Sequence, residues 1–105
     1  MAASLFTVSL QASNHPLWSG KTSYVVVPDR EGRQAFLSGH EPVLLLLEDG
    51  VVQIVAEGNR QLYFHVDDGF ASFDSNHLVI AVDHGEQIDS PDSADSPAPA
   101  VKKSK

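Results

Sequence analysis

The 105-residue chain has no cysteine, one tryptophan and one methionine. Without cysteine there is no disulfide framework, no thiolate zinc site and no thiol nucleophile. Positive charge is scarce as well. Seven Lys and Arg stand against fourteen Asp and Glu, a formal charge of −7 with His neutral. That balance excludes a cationic groove able to displace counterions from nucleic-acid phosphates, and residues 1–88 lack a polybasic membrane-surface segment. Long apolar runs are missing too. None exceeds five residues, as in Val43–Leu47, against the roughly 20 of a spanning helix. Met1-Ala2-Ala3-Ser4-Leu5 has no cationic start and no long apolar core, so no secretory leader is expected. What remains reads as one soluble, acidic, cytoplasmic domain.

Composition changes near residue 88. Residues 1–88 hold four bases and eleven acids, whereas residues 89–105 hold three of each. In the second stretch Val101 is the one large apolar side chain, and Pro91, Pro97 and Pro99 interrupt any helix. Such a segment cannot bury enough surface to offset the cost of ordering. We therefore expect a folded domain over 1–88 and a disordered tail over 89–105, ending in Lys102-Lys103-Ser104-Lys105.

Within 1–88 the hydrophobic period is two. Phe6, Val8 and Leu10 share one face of a strand. Ser23-Tyr24-Val25-Val26-Val27 is β-branched and is expected to stop at Pro28. The run Val43–Leu47, set between Pro42 and Glu48-Asp49-Gly50, has strand length and strand flanks. Val51–Ala56 and Gln61–Val66 read as a hairpin around Gly58, with Leu62, Phe64 and Val66 inward and Tyr63 and His65 outward. Phe70–Phe73 and Leu78–Val82 read as a second hairpin. No stretch carries a capped helical stripe. The expectation is an all-β chain, a flattened sandwich or barrel of about ten strands.

Reactive constellations are few. His65, Asp67 and Asp68 suggest a metal or acid–base cluster, but Asp68 points to the opposite face from the other two, and Asp67-Asp68-Gly69 reads better as a turn. His15, His77 and His84 sit among turn formers and read as surface histidines. There is no His-Glu-x-x-His motif, no phosphate-cradling Gly-Lys-Ser/Thr loop and no Gly-x-Ser-x-Gly nucleophile turn. Residues 28–42 read as a long functional loop. Phe36 and Leu37 are expected to pin it to the core, leaving His40 exposed.

Several short runs follow one another in a recognisable order. They are Leu17-Trp18-Ser19-Gly20, Val25-Val26-Val27-Pro28, Glu31-Gly32 and Leu37-Ser38-Gly39-His40-Glu41-Pro42-Val43-Leu44, then Asp49–Ile54, Val66-Asp67-Asp68-Gly69-Phe70 and Leu78–Val82. Over residues 5 to about 88 the chain resembles the epsilon subunit of bacterial F-type ATP synthase. The resemblance implies a ten-stranded β-sandwich with no catalytic role, no cofactor and no metal. It implies a place in the central stalk at the cytoplasmic face of the cell membrane. There the domain packs on the gamma subunit, sits on the c-subunit ring and meets the catalytic head through gamma, linking ion flow to ATP synthesis. The c-ring contact would fall at Glu31, Gly32, Arg33 and His40. The gamma contact would fall at Ala12, Gly39, Pro42 and Leu44. Arg33 stands where the family is often acidic. Ala35, Ser38 and Asp68 replace a family glycine, a common proline and the first of a frequent Gly-Gly pair. The family usually continues into a C-terminal helical hairpin. Residues 89–105, with three prolines, are not expected to form one, so neither hairpin-type inhibition of ATP hydrolysis nor hairpin ATP binding is expected. The isolated domain is expected to be monomeric.

Two other readings follow from the residues alone. A glycan- or peptide-binding sandwich would stack its ligand on Trp18, Tyr24 and Tyr63. A small metal-dependent hydrolase would use His65, Asp67 and His84.

Overall fold

The computed structural model describes residues 4–13 and 15–90. The expectations for 91–105 lie outside the described residues. Nine strands and no helix occur among the described residues. They are β1 (Phe6–Ala12), β2 (His15–Asp29), β3 (Gly32–Phe36), β4 (Val43–Leu47), β5 (Gly50–Ala56), β6 (Arg60–Val66), β7 (Gly69–Asp74), β8 (His77–Val82) and β9 (Gly85–Ile88).

β1, β8, β7 and β4 lie side by side in that order, and β5, β6 and β9 continue from β2. β1 runs parallel to β8, and the remaining pairs are antiparallel. The 15-residue β2 joins the two layers. Its first part pairs with β1, Thr22 pairs with both β1 and β5, and its last part pairs with β3. Inward residues from eight strands meet in one core. Phe6, Val8 and Leu10 of β1, Ile54 of β5, Phe64 of β6, and Leu78 and Ile80 of β8 are all essentially solvent-free. This is a β-sandwich, and period-two burial in β1, β6 and β8 is its direct cause.

The two expected hairpins form. Ser75 and Asn76 both take positive φ (52° and 58°) in the two-residue turn between β7 and β8, the backbone twist that a tight hairpin requires. Gly69 could carry no side chain, since a Cβ would lie 2.2 Å from the Ala81 carbonyl oxygen.

Three expectations need correction. β2 does not stop at Pro28 but continues to Asp29. Proline is tolerated there because its carbonyl does the pairing, accepting the Glu48 N–H at 2.9 Å. Residues 28–42 are not one long loop. A two-residue turn at Arg30 and Glu31 folds β3 back on β2, so irregular chain is confined to 37–42. Leu37 does not join Phe36 in the core: Phe36 is fully buried, whereas Leu37 is 56% exposed.

Candidate functional site

The strand register places each candidate residue. Glu31, Gly32 and Arg33 cap the β2–β3 hairpin, where Asp29 pairs with Gly32. Gly32 takes φ 130°, a value glycine reaches freely. Arg33 is tied down: its guanidinium donates to the Val51 carbonyl at 3.2 Å. Pro28 pairs with Arg33 across this hairpin, so the side chain must cross Pro28 to reach β5.

His40 is not with them. Gly32 and Phe36 are four residues apart on β3, about 13 Å along a strand. His40 packs at the Phe36 end, with ring centroids 4.9 Å from Phe36 and 5.4 Å from Phe73. It is half-buried rather than exposed, because these two phenyl rings form a shelf for it. Its Nδ1 lies 2.7 Å from the Glu41 carbonyl. The positions expected to meet the c ring thus divide between two ends of the sandwich.

The positions expected to meet gamma are also spread out. Gly39 donates its N–H to Asn76 Oδ1 at 2.7 Å, which ties the 37–42 segment to the β7–β8 turn. Pro42 and Leu44 lie beside it, both exposed. Ala12 lies at the far end of β1, paired with Val82, and its side chain is buried in the core.

One surface connects these two places, and it includes residues that period-two reading missed. β4 turns Leu45 and Leu47 toward the core, and Leu44 and Leu46 away from it, 67% and 58% exposed. Leu46 pairs with Phe70, Phe70 with Ala81 and Ala81 with Gln11. Leu44 pairs with Ser72, Ser72 with Val79 and Val79 with Ser9. The first row runs from Leu46 to Gln11, the neighbour of Ala12. The outer face of this layer is therefore an apolar band centred on Leu44, Leu46 and Phe70, the last 41% exposed. In a five-residue apolar run, periodicity carries no signal about which residues point out. The available clue was that a strand with only one face on a core must expose two of the five.

The aromatic platform does not assemble. Trp18 pairs with Leu10 and packs against the core, its ring over Gly20. Tyr24 and Tyr63 lie on the opposite, outward side of β2 and β6, so the three offer no common stacking surface. Of His65, Asp67 and His84, the first two lie close together with Asp49, their ligand atoms within 4.8 Å of one another, and His84 touches Asp67. His84 Nδ1 is 3.3 Å from Asp67 Oδ2, and His65 Nε2 is 2.8 Å from Asp49 Oδ1.

Residues 5–88 match the family described as the beta-sandwich domain of the ATP synthase delta/epsilon chain. The chain is 33% identical over 79 residues to ATP synthase epsilon chain 2 of Ralstonia nicotianae, covering 75% of this chain and 57% of that one. It is 37% identical over 90 residues to the epsilon chain of Corynebacterium urealyticum, covering 85% and 73%. The chain thus spans little more than half the length of the first of these relatives. A chain of the Euglena gracilis mitochondrial ATP synthase, solved with its c-ring, has the same fold. Its TM-score is 0.75 at 18% identity, over 83% of this chain and 56% of that one.

Proposed function

The chain belongs to the delta/epsilon β-sandwich family of ATP synthase, and from that premise we propose that it is a non-catalytic subunit of the central stalk. In this reading it joins gamma to the c ring at the cytoplasmic face of the membrane and turns with them. The observation that carries the reading is the apolar band of Leu44, Leu46 and Phe70. Adjacent exposed apolar side chains on a regular sheet mark a protein interface, and gamma is the partner that family membership suggests.

The residue assignments sharpen accordingly. The gamma contact comprises Gly39, Pro42 and Leu44, extended across Leu46 and Phe70 toward Gln11 and Ala12. His40 groups with this set by position. The c-ring contact is the hairpin tip, Glu31, Gly32 and Arg33. A stalk subunit must transmit torque without deforming, and a closed apolar core with a tethered hairpin suits that load.

Mixing the full chain with the gamma subunit from the same source should give a stoichiometric complex on gel filtration. Leu46→Asp should weaken it at least tenfold without unfolding the domain. Because the chain lacks cysteine, single-cysteine variants report contacts cleanly. In the assembled enzyme, a thiol-attached photo-cross-linker should join Glu31→Cys to the c ring and Leu44→Cys to gamma. No complex with gamma at tens of micromolar would leave the family fold without the stalk role.

A further inference from the structure

The polar outer face holds a second constellation that the stalk role does not use. β6 and β9 pair so that His65 stands opposite Glu86, and the Asp67 N–H donates to the His84 carbonyl at 2.9 Å. Residues spaced by two share a face. His65 and Asp67 therefore project from the same side as His84 and Glu86. Asp49, in the β4–β5 turn, reaches the same point from a third segment. The ligand atoms of Asp49, His65 and Asp67 all lie within 4.8 Å of one another. His65, Asp67, His84 and Glu86 also line one groove of about 600 Å³, which contains a further imidazole, His15.

We propose that Asp49, His65, Asp67 and His84 form a zinc site at this end of the sandwich. The donor set is two imidazoles and two carboxylates from four places in the sequence, which is chemistry that Zn²⁺ accepts in tetrahedral geometry. Bonds of about 2.1 Å put donors roughly 3.4 Å apart. The two observed contacts, 2.8 and 3.3 Å, are both shorter than that spacing, and small rotations of surface side chains would open them to it and bring His84 from Asp67 to the Asp49, His65 and Asp67 group. Asp49 and His84 are 68% and 82% exposed in their side chains, so no packing opposes those rotations. A bound ion would replace the two His–Asp contacts and tie together the turns before β5, before β7 and before β9.

The test uses the untagged full chain and ZnCl₂ in chelator-free buffer, followed by calorimetry and thermal unfolding. One ion per chain should bind with micromolar affinity and raise the unfolding midpoint. His65→Gln, Asp49→Asn and His84→Ala should each weaken binding at least tenfold. The last two alter exposed side chains, and circular dichroism without metal should find them folded like the parent. The absence of both heat and a midpoint shift with excess ZnCl₂ would overturn the proposal. So would binding of unchanged affinity in all three variants, which would put the ion elsewhere. Binding of MgCl₂ as tight as ZnCl₂, indifferent to His84→Ala, would overturn it too, since it would mark a carboxylate site only. Each readout uses the metal alone, so the result is separate from gamma binding.

Discussion

Leu44, Leu46, Phe70, Val79 and Ala81 face outward from β4, β7 and β8, whereas Gln53, Gln61, Tyr63 and His65 face outward from β5 and β6, beside Val51 and Val55. Both sets occupy equivalent positions, at alternate residues of strands whose other residues fill one core. Strand geometry decides only that such residues point away from the core. It does not decide what they are. On the second face, three outward side chains satisfy one another: Gln53 Nε2 donates to Gln61 Oε1 at 3.1 Å, and Tyr63 Oη donates to the same oxygen at 3.0 Å. On the first face, Leu44 and Leu46 have nothing comparable. A row left to water can be polar at no cost in stability. A contiguous apolar row needs a cover, because it otherwise invites association with other surfaces. The difference between the two faces is therefore a statement about partners.

The sharpest way to break this comparison uses two adjacent residues. Ile80→Asp places a charge where the side chain has no solvent contact, and should cost several kcal/mol and unfold the domain. Val79→Asp, one position along and on the outer face, should cost less than about 1 kcal/mol. Urea titration followed by circular dichroism measures both. If both variants unfold, the apolar band is core rather than interface.

A smaller effect separates the two faces directly. Phe70→Asp should reduce affinity for gamma at least tenfold while the fold persists. Tyr63→Asp, the matched change on the polar face, should leave affinity as it is. Calorimetry with gamma from the same source reads both, and equal losses would erase the distinction. The smallest expected effect concerns the hairpin. Arg33→Ala removes the donor to the Val51 carbonyl and should lower stability by about 1 kcal/mol. No change in the urea midpoint would show that the hairpin does not depend on that tether.

Much of the fold was legible because inward positions alternate without interruption. Val8–Leu10, Phe64–Val66 and Leu78–Ile80–Val82 declare both their strand and its buried face, and the Ser75-Asn76 turn declares its hairpin. β3 was not legible. Its sequence, Gly-Arg-Gln-Ala-Phe, offers a single large apolar residue, and it becomes a strand because β2 supplies a ready edge for it to pair with. Pro28 read as a stop for a related reason. The strand passes through it because only its carbonyl is needed, and that depends on where Glu48 lies.

The candidate sites divide in the same way. Glu31, Gly32 and Arg33 are consecutive, so their proximity was certain from the chain. His40 was expected to share that patch, yet β3 runs between them as a rigid spacer and leaves it against Phe36 and Phe73. The convergence of Asp49, His65 and Asp67, and the contact of His84 with Asp67, depend on the register of β6 with β5 and β9, which no local pattern reports.

By itself the sequence determined the all-β class, most of the core and membership of the family, because each depends on residue type and spacing of two along one strand. Tertiary structure alone decided which leucines of β4 face outward, where His40 sits and which histidines meet carboxylates. Those are relations between strands, set by pairing and by how the layers close on one another.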